Sequence, residues 1–170
     1  MSVFWAILAL VVAQRLAELA YARRNTRRLL ADGAAEVGAG HYPLIVAVHV
    51  GWLAALLVSV PADAAPNWWL LGLFLAVQFA RIWVMMSLGP YWTTRVLSIP
   101  GAPLVRRGLY RWVRHPNYMI VVTEIALLPL AFGAWDIAVV FSFLNAIVLT
   151  HRIRMENAAL AERRSAGGTE

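Results

Sequence analysis

Cysteine is absent from this chain, which excludes disulfides, thiolate metal sites and a cysteine nucleophile together. Lysine is absent too, so fifteen arginines carry all the fixed positive side-chain charge. Charge of either sign is scarce, at 14% of residues, nine of them acidic. Internal repeats and low-complexity segments are missing. No basic n-region precedes the first apolar run and no small-residue cleavage site follows it, so a retained first helix is expected rather than a cleaved signal.

What fills the space is apolar: 61% of residues are hydrophobic and eight are tryptophan, with a mean hydropathy of +0.66. That composition belongs to an integral membrane protein rather than a soluble domain. The 170 residues leave room for four or five spans of about 20 residues each, and a single domain over 1–170 is expected. Apolar segments fall at about 3–21, 43–60, 67–88, 117–132 and 134–151, separated by Pro, Gly or charge clusters. The reading is an all-α, polytopic membrane helix bundle with about five transmembrane helices and a C-terminal helix. The last two segments are short and joined only through Phe132 to Asp136, so they form a tight helical hairpin whose members need not each cross the full bilayer.

Arginine placement orients the bundle. Four follow the first segment (Arg23, Arg24, Arg27, Arg28), five the third (Arg95, Arg106, Arg107, Arg111, Arg114) and four the fifth (Arg152, Arg154, Arg163, Arg164). The connections at 61–66 and 133–136 hold none. The positive-inside rule then puts the N-terminus outside and the C-terminus and all three arginine-rich segments in the cytoplasm, as in a bacterial inner or plasma membrane. The net charge of +6 is accounted for by this topology and by anionic lipid headgroups, so no nucleic-acid partner is expected.

Ionisable groups inside spans are costly and need partners. Arg15 and Glu18 pair at helical spacing on the first helix, Gln14 beside them. Arg81 is read either as a structural residue pairing with Glu18 or Glu124 or as a site residue, and Glu124, with no charged neighbour on its own helix, must find a partner in the bundle or be protonated. His41 and His49 are read as hydrogen-bonded interfacial residues, as is His151, because a metal site needs three or four convergent ligands. The glycines from Gly33 to Gly40 are too irregular for a phosphate fingerprint, and that stretch is read as a loop.

Two clusters carry chemistry, and both lie on the cytoplasmic side. Residues 89–116 form a long connection broken by Gly89-Pro90, Pro100-Gly101 and Ala102-Pro103, with Tyr91, Trp92, Tyr110 and Trp112 offering faces to an adenine or to lipid. At Arg114-His115-Pro116-Asn117-Tyr118, Pro116 suits the first turn of a helix and disfavours helix at His115. The free N–H groups there favour a carboxylate. The second cluster, Arg152 to Asn157, places Arg152 and Glu156 on one helix face.

With these residues in view, the chain resembles the isoprenylcysteine carboxyl methyltransferase family of integral membrane methyltransferases. The match rests on Leu104-Val105, Gly108-x-Tyr110, Arg114 to Tyr118, and Arg152 to Leu160, and is strongest over roughly 95–162. The resemblance implies a helical enzyme that uses S-adenosylmethionine, yielding S-adenosylhomocysteine, without a Rossmann domain. It implies that Leu104, Val105, Tyr110, His115, Pro116, Asn117 and Tyr118 line the cofactor pocket, Arg95 near them, and that Arg152 and Glu156 act on the acceptor side. Asn157 stands where many relatives carry a second Glu, which argues against a mechanism needing two adjacent carboxylates. Arg15-x-x-Glu18, Arg24-Asn25, Glu36-x-Gly38, His41-Tyr42-Pro43 and His49 look like a small bacterial subgroup. Some of its members are associated with type III polyketide synthases and O-methylate alkylpyrones or alkylresorcinols. The implied acceptor is a lipophilic phenol or enol, ahead of a prenylcysteine-like carboxylate. Two rivals are an NADPH-dependent membrane reductase of related architecture and a non-enzymatic lipid-binding protein.

Overall fold

The computed structural model describes residues 2–37, 40, 42–98 and 107–166, with side chains through residue 157. Five helices make up most of it: α1 (Val3–Ala31), α2 (Tyr42–Ser59), α3 (Trp68–Leu88), α4 (Pro116–Ala131) and α5 (Trp135–Ala166). Strand β1 (Ala35–Glu36) pairs antiparallel with β2 (Leu97–Ser98), Ala35 opposite Ser98 and Glu36 opposite Leu97. The stretch around Gly33, expected as plain loop, thus contributes a short strand. His41, Leu104 and Val105 lie outside the described residues.

The helix ends follow local rules. The Ser2 hydroxyl caps α1 by accepting from the Trp5 N–H at 3.4 Å. Asn67 caps α3, its side chain accepting from Trp69 and Leu70 at 3.1 and 3.3 Å. Its own N–H donates to Ala131 O at 2.7 Å, which ties the start of α3 to the end of α4. Pro116 opens α4 after a non-helical His115 (φ −129°, ψ 58°), as a proline at the first helical position favours. Gly133, at φ +74°, turns the chain straight into α5 and closes the expected hairpin.

Four helices are long and apolar enough to cross a membrane, and the chain is an integral membrane protein. The fifth, α4, has 16 residues and reaches about 24 Å, short of a hydrocarbon core of about 30 Å. It is the central helix, burying Ile120, Val121, Ile125, Leu127 and Leu128 between α3 and α5. Two helices outrun their apolar segments: α1 continues past 21 to Ala31, and α5 continues past 151 as one helix of 32 residues to Ala166. Charge alone does not end a helix, and no Gly or Pro interrupts 135–166.

Lipid faces of Leu16, Phe79, Met86 and Val139 are exposed, while the interior is layered. Phe4, Leu8 and Val11 of α1 pack with Trp52, Leu56, Leu71, Phe74, Ile125 and Leu128 at one end. A smaller cluster of Ala22, Val84, Trp92 and Ile120 lies toward the other. Between them lies a layer of charge. Arg81 donates from Nε and Nη2 to the two Glu18 oxygens at 2.6 and 2.7 Å, and from Nη1 to Glu124 Oε2 at 3.0 Å. Arg15 bridges the same two carboxylates at 2.7 and 2.9 Å, and Gln14 donates to Glu18 at 3.0 Å. The partners sought for Arg81 and Glu124 are therefore shared, two arginines with two glutamates. His49 of α2 lies about two turns from the helix start and donates to Ile45 O at 2.8 Å.

Above this layer, Gly108 (φ +59°) starts a 3₁₀ turn, Gly108–Arg111, that lies directly on α3. A Cβ at Gly108 would come within 2.0 Å of Ser87 Oγ and 2.9 Å of Ser87 Cβ. Glycine is therefore required twice, for the backbone angle and for the close approach.

Two outcomes follow for purified protein in detergent, read by thermal unfolding. Arg81→Met leaves two buried carboxylates to one arginine and is expected to cost about 3–5 kcal/mol. Adding Glu124→Gln restores charge balance and should recover part of the loss; no recovery would mean that charge balance is not what matters in this layer. Gly108→Ala is expected to cost about 1–2 kcal/mol from the backbone angle alone, plus the clash. Ser87→Ala in the same protein should relieve the Oγ part of the clash alone, and strictly additive effects would contradict the contact.

Candidate active site

The site begins where α3 ends. Gly89 (φ +52°) and Pro90 break the helix into a 3₁₀ turn, Gly89–Tyr91, which turns Trp92 into the protein, where it is 4% exposed. Asn25 of α1 holds this corner, donating from Nδ2 to Gly89 O and Trp92 O at 3.2 and 2.9 Å. From Trp92 the chain runs outward along β2. Arg95 pairs with Glu36 of β1 at 2.6 Å and lies over the Tyr42 ring at 5.4 Å, so the segment after α1 braces this wall.

The opposite wall comes from the start of α4 and the extension of α5. His115 stacks on Tyr118, ring centroids 5.3 Å apart. Arg152 donates from Nε to the Tyr118 hydroxyl at 2.9 Å, and that hydroxyl donates in turn to Glu156 Oε2. His115 Nδ1 lies 3.9 Å from the same carboxylate oxygen. Arg152 and Glu156 share a helix face as expected, but they meet through Tyr118. The α5 overrun beyond the apolar stretch is what carries both residues to α4.

Between the walls is an open cleft of about 190 Å³. It gathers Tyr110, His115, Asn117, Tyr118, Arg152 and Glu156 from the sequence-derived set, with Arg95 and Arg114. Pro116 is buried between two lining residues, where it sets the helix start. Trp112 is largely exposed under Arg111 and belongs to the surface, as an interfacial residue would. Leu88, Thr93, Val96, Leu97 and Ser98 also line the cleft. No sequence motif marked them, because their membership depends on where β2 is held.

The electrostatics are uneven. Three guanidinium groups and one carboxylate line the cleft, and the N–H end of α4 opens beside it, so an anionic group is favoured. Burial, and then the nearby Glu156 carboxylate, push the Tyr110 hydroxyl above the usual tyrosine range, so it stays a neutral hydroxyl. Two buried polar atoms of lining residues have no protein partner: the Trp92 indole N–H, a donor, and Asn117 Oδ1, an acceptor.

Comparison with known proteins identifies the family. The model of the isoprenylcysteine carboxyl methyltransferase (ICMT) family matches residues 70–162, more than half of the chain and all of α4. The uncharacterized protein YpbQ of Bacillus subtilis (strain 168) is 42% identical over 163 residues, covering 94% of this chain and 97% of that protein. An uncharacterized protein of Haemophilus influenzae is 26% identical over 159 residues, covering 90% and 92%. No solved structure matches. The match over more than half of its length places this chain in the isoprenylcysteine carboxyl methyltransferase family, and membership implies a membrane methyltransferase.

Proposed function

We propose that the protein is an S-adenosylmethionine-dependent O-methyltransferase whose acceptor is a lipophilic phenol or enol of the alkylpyrone or alkylresorcinol kind. The observation that carries this reading is the hydrogen-bonded run Arg152–Tyr118–Glu156 on one wall of the cleft. The cofactor fits the residues present: the cleft offers an orphan acceptor on Asn117 and an orphan donor on Trp92, which suit a ligand bearing both amine and carboxylate or ring-nitrogen groups. Tyr110, His115, Asn117 and Tyr118 would hold it, with Leu104 and Val105 from the family pattern and Pro116 fixing the helix end. When bound, S-adenosylmethionine supplies an electrophilic methyl group on a sulfonium sulfur.

The protein's part is placement and proton handling. Methyl transfer needs the acceptor oxygen in line with the bond that breaks, and no covalent intermediate on the protein. Glu156 takes the proton from the acceptor hydroxyl as the new C–O bond forms. Arg152 engages Tyr118 only through Nε, leaving its terminal nitrogens for the developing oxyanion. A carboxylate acceptor fits less well, because it would face the Glu156 carboxylate and gain nothing from a base. The cleft lies at the arginine-rich end of the bundle, the cytoplasmic end by the positive-inside rule. The water-soluble cofactor enters there while the acceptor's alkyl tail stays among the helices or in lipid.

Purified protein in nanodiscs, given methyl-labelled cofactor and long-chain phenols or pyrones, is expected to release a labelled methyl ether. Glu156→Gln should slow that transfer about a hundredfold while changing S-adenosylhomocysteine affinity little; equal rates would remove Glu156 as base. Tyr118→Phe, which keeps the ring and removes the joining hydroxyl, loses both of its charge-assisted hydrogen bonds, to Arg152 and to Glu156, and should cost transfer at least about tenfold. Label appearing only on prenylcysteine-like carboxylates would reverse the choice of acceptor, and NADPH consumption without methyl transfer would replace the reaction altogether.

A further inference from the structure

Three charges are buried at mid-height in the bundle and a fourth, Arg15, is half-buried beside them, yet no residue of α1 lines the cleft among the described residues. Packing alone does not explain the arrangement, since well-packed apolar residues often match or exceed a buried ion pair in stability. What the layer does supply is one fixed geometry. Arg81 uses three nitrogens on two carboxylates from two other helices, so its guanidinium plane cannot turn. Its Cζ lies 6.0 Å from the centre of the Trp92 ring, at the limit of a cation–π contact.

Trp92 is held from every side. Its carbonyl takes the buried Asn25 amide of α1 at 2.9 Å, and its ring packs with Ala22 of α1, Val84 of α3 and Ile120 of α4. It lines the cleft, and its indole N–H has no protein acceptor. Glu18, Ala22 and Asn25 follow one another at helical spacing on α1, so one stripe of that helix touches both Arg81 and the Trp92 corner. A sliding of α1 along α3 would break the Glu18 contacts and release Trp92 together.

We propose that Trp92 is a cofactor-contact residue forming the floor of the cleft, and that Asn25 and Arg81 are positioning residues that set it from two helices. This rests on the cofactor reading given above. The charge layer then has a functional output: it locks the register of α1 so that the cleft floor is preformed before ligand arrives.

The test uses full-length protein labelled with 5-fluorotryptophan in nanodiscs, the Trp92 fluorine resonance being assigned by its loss in Trp92→Phe. Two variants are compared with wild type: Asn25→Ala, which removes no charge, and the charge-balanced pair Arg81→Met with Glu124→Gln. The Trp92 resonance is expected to shift and broaden in both, with those of distant tryptophans such as Trp135 unmoved. Affinity for S-adenosylhomocysteine, measured well below each melting temperature, should fall at least tenfold. An unmoved Trp92 resonance in both variants overturns the positioning role. So does a moved resonance with unchanged affinity, in a wild type that binds. A wild type that does not bind S-adenosylhomocysteine overturns the cofactor reading and this inference with it.

Discussion

The interaction on which the structure depends is the clasp of Arg81 by Glu18 and Glu124. Lipid tails are as apolar as the helix faces they surround, so helices in a membrane have no hydrophobic reason to choose one register over another. A guanidinium that must satisfy two carboxylates on two other helices removes that freedom, because any slide or rotation exposes charge to hydrocarbon. Arg15 completes the neutral set. Around this layer the apolar residues need only fill volume, which is what the Phe4, Trp52, Phe74 and Leu128 cluster does.

The same constraint separates two chemical regions. On one side lies an apolar core closed by the Asn67 to Ala131 hydrogen bond and the Gly133 turn. On the other, α4 begins, α5 overruns the apolar zone, and residues 89–98 after α3 form a wall. A shortened central helix beside an overlong final one is what brings the N-terminus of α4 against Arg152 and Glu156. A polar cleft abutting lipid-facing helices is a suitable meeting place for a soluble methyl donor and a greasy acceptor.

Much of this was legible in the sequence because its causes are local. Span lengths follow from apolar runs, the α4 start from Pro116, and the hairpin from Gly133. The need of Glu124 and Arg81 for partners follows from the cost of burying charge. Tyr110, His115, Asn117, Tyr118, Arg152 and Glu156 could be gathered from motif order, and they do share one cleft. What was hidden is long-range. Nothing in the spacing shows that Tyr118 stands between Arg152 and Glu156, since the contact depends on α5 continuing past its apolar stretch. Nor does any local rule pair Glu36 with Arg95, or aim Asn25 at the carbonyl of Trp92, across some sixty residues of intervening chain. An isolated Asn amid arginines on a helix reads as solvated; only the fold makes it a clamp.

The account stands or falls on whether this cleft takes the methyl donor. Calorimetric titration of the detergent-purified protein with S-adenosylhomocysteine, set beside His115→Ala and beside NADPH, asks that directly. Saturable binding by the wild type, lost or strongly weakened in the variant and absent for NADPH, is the predicted result. Binding of NADPH alone, or of neither ligand, would contradict it.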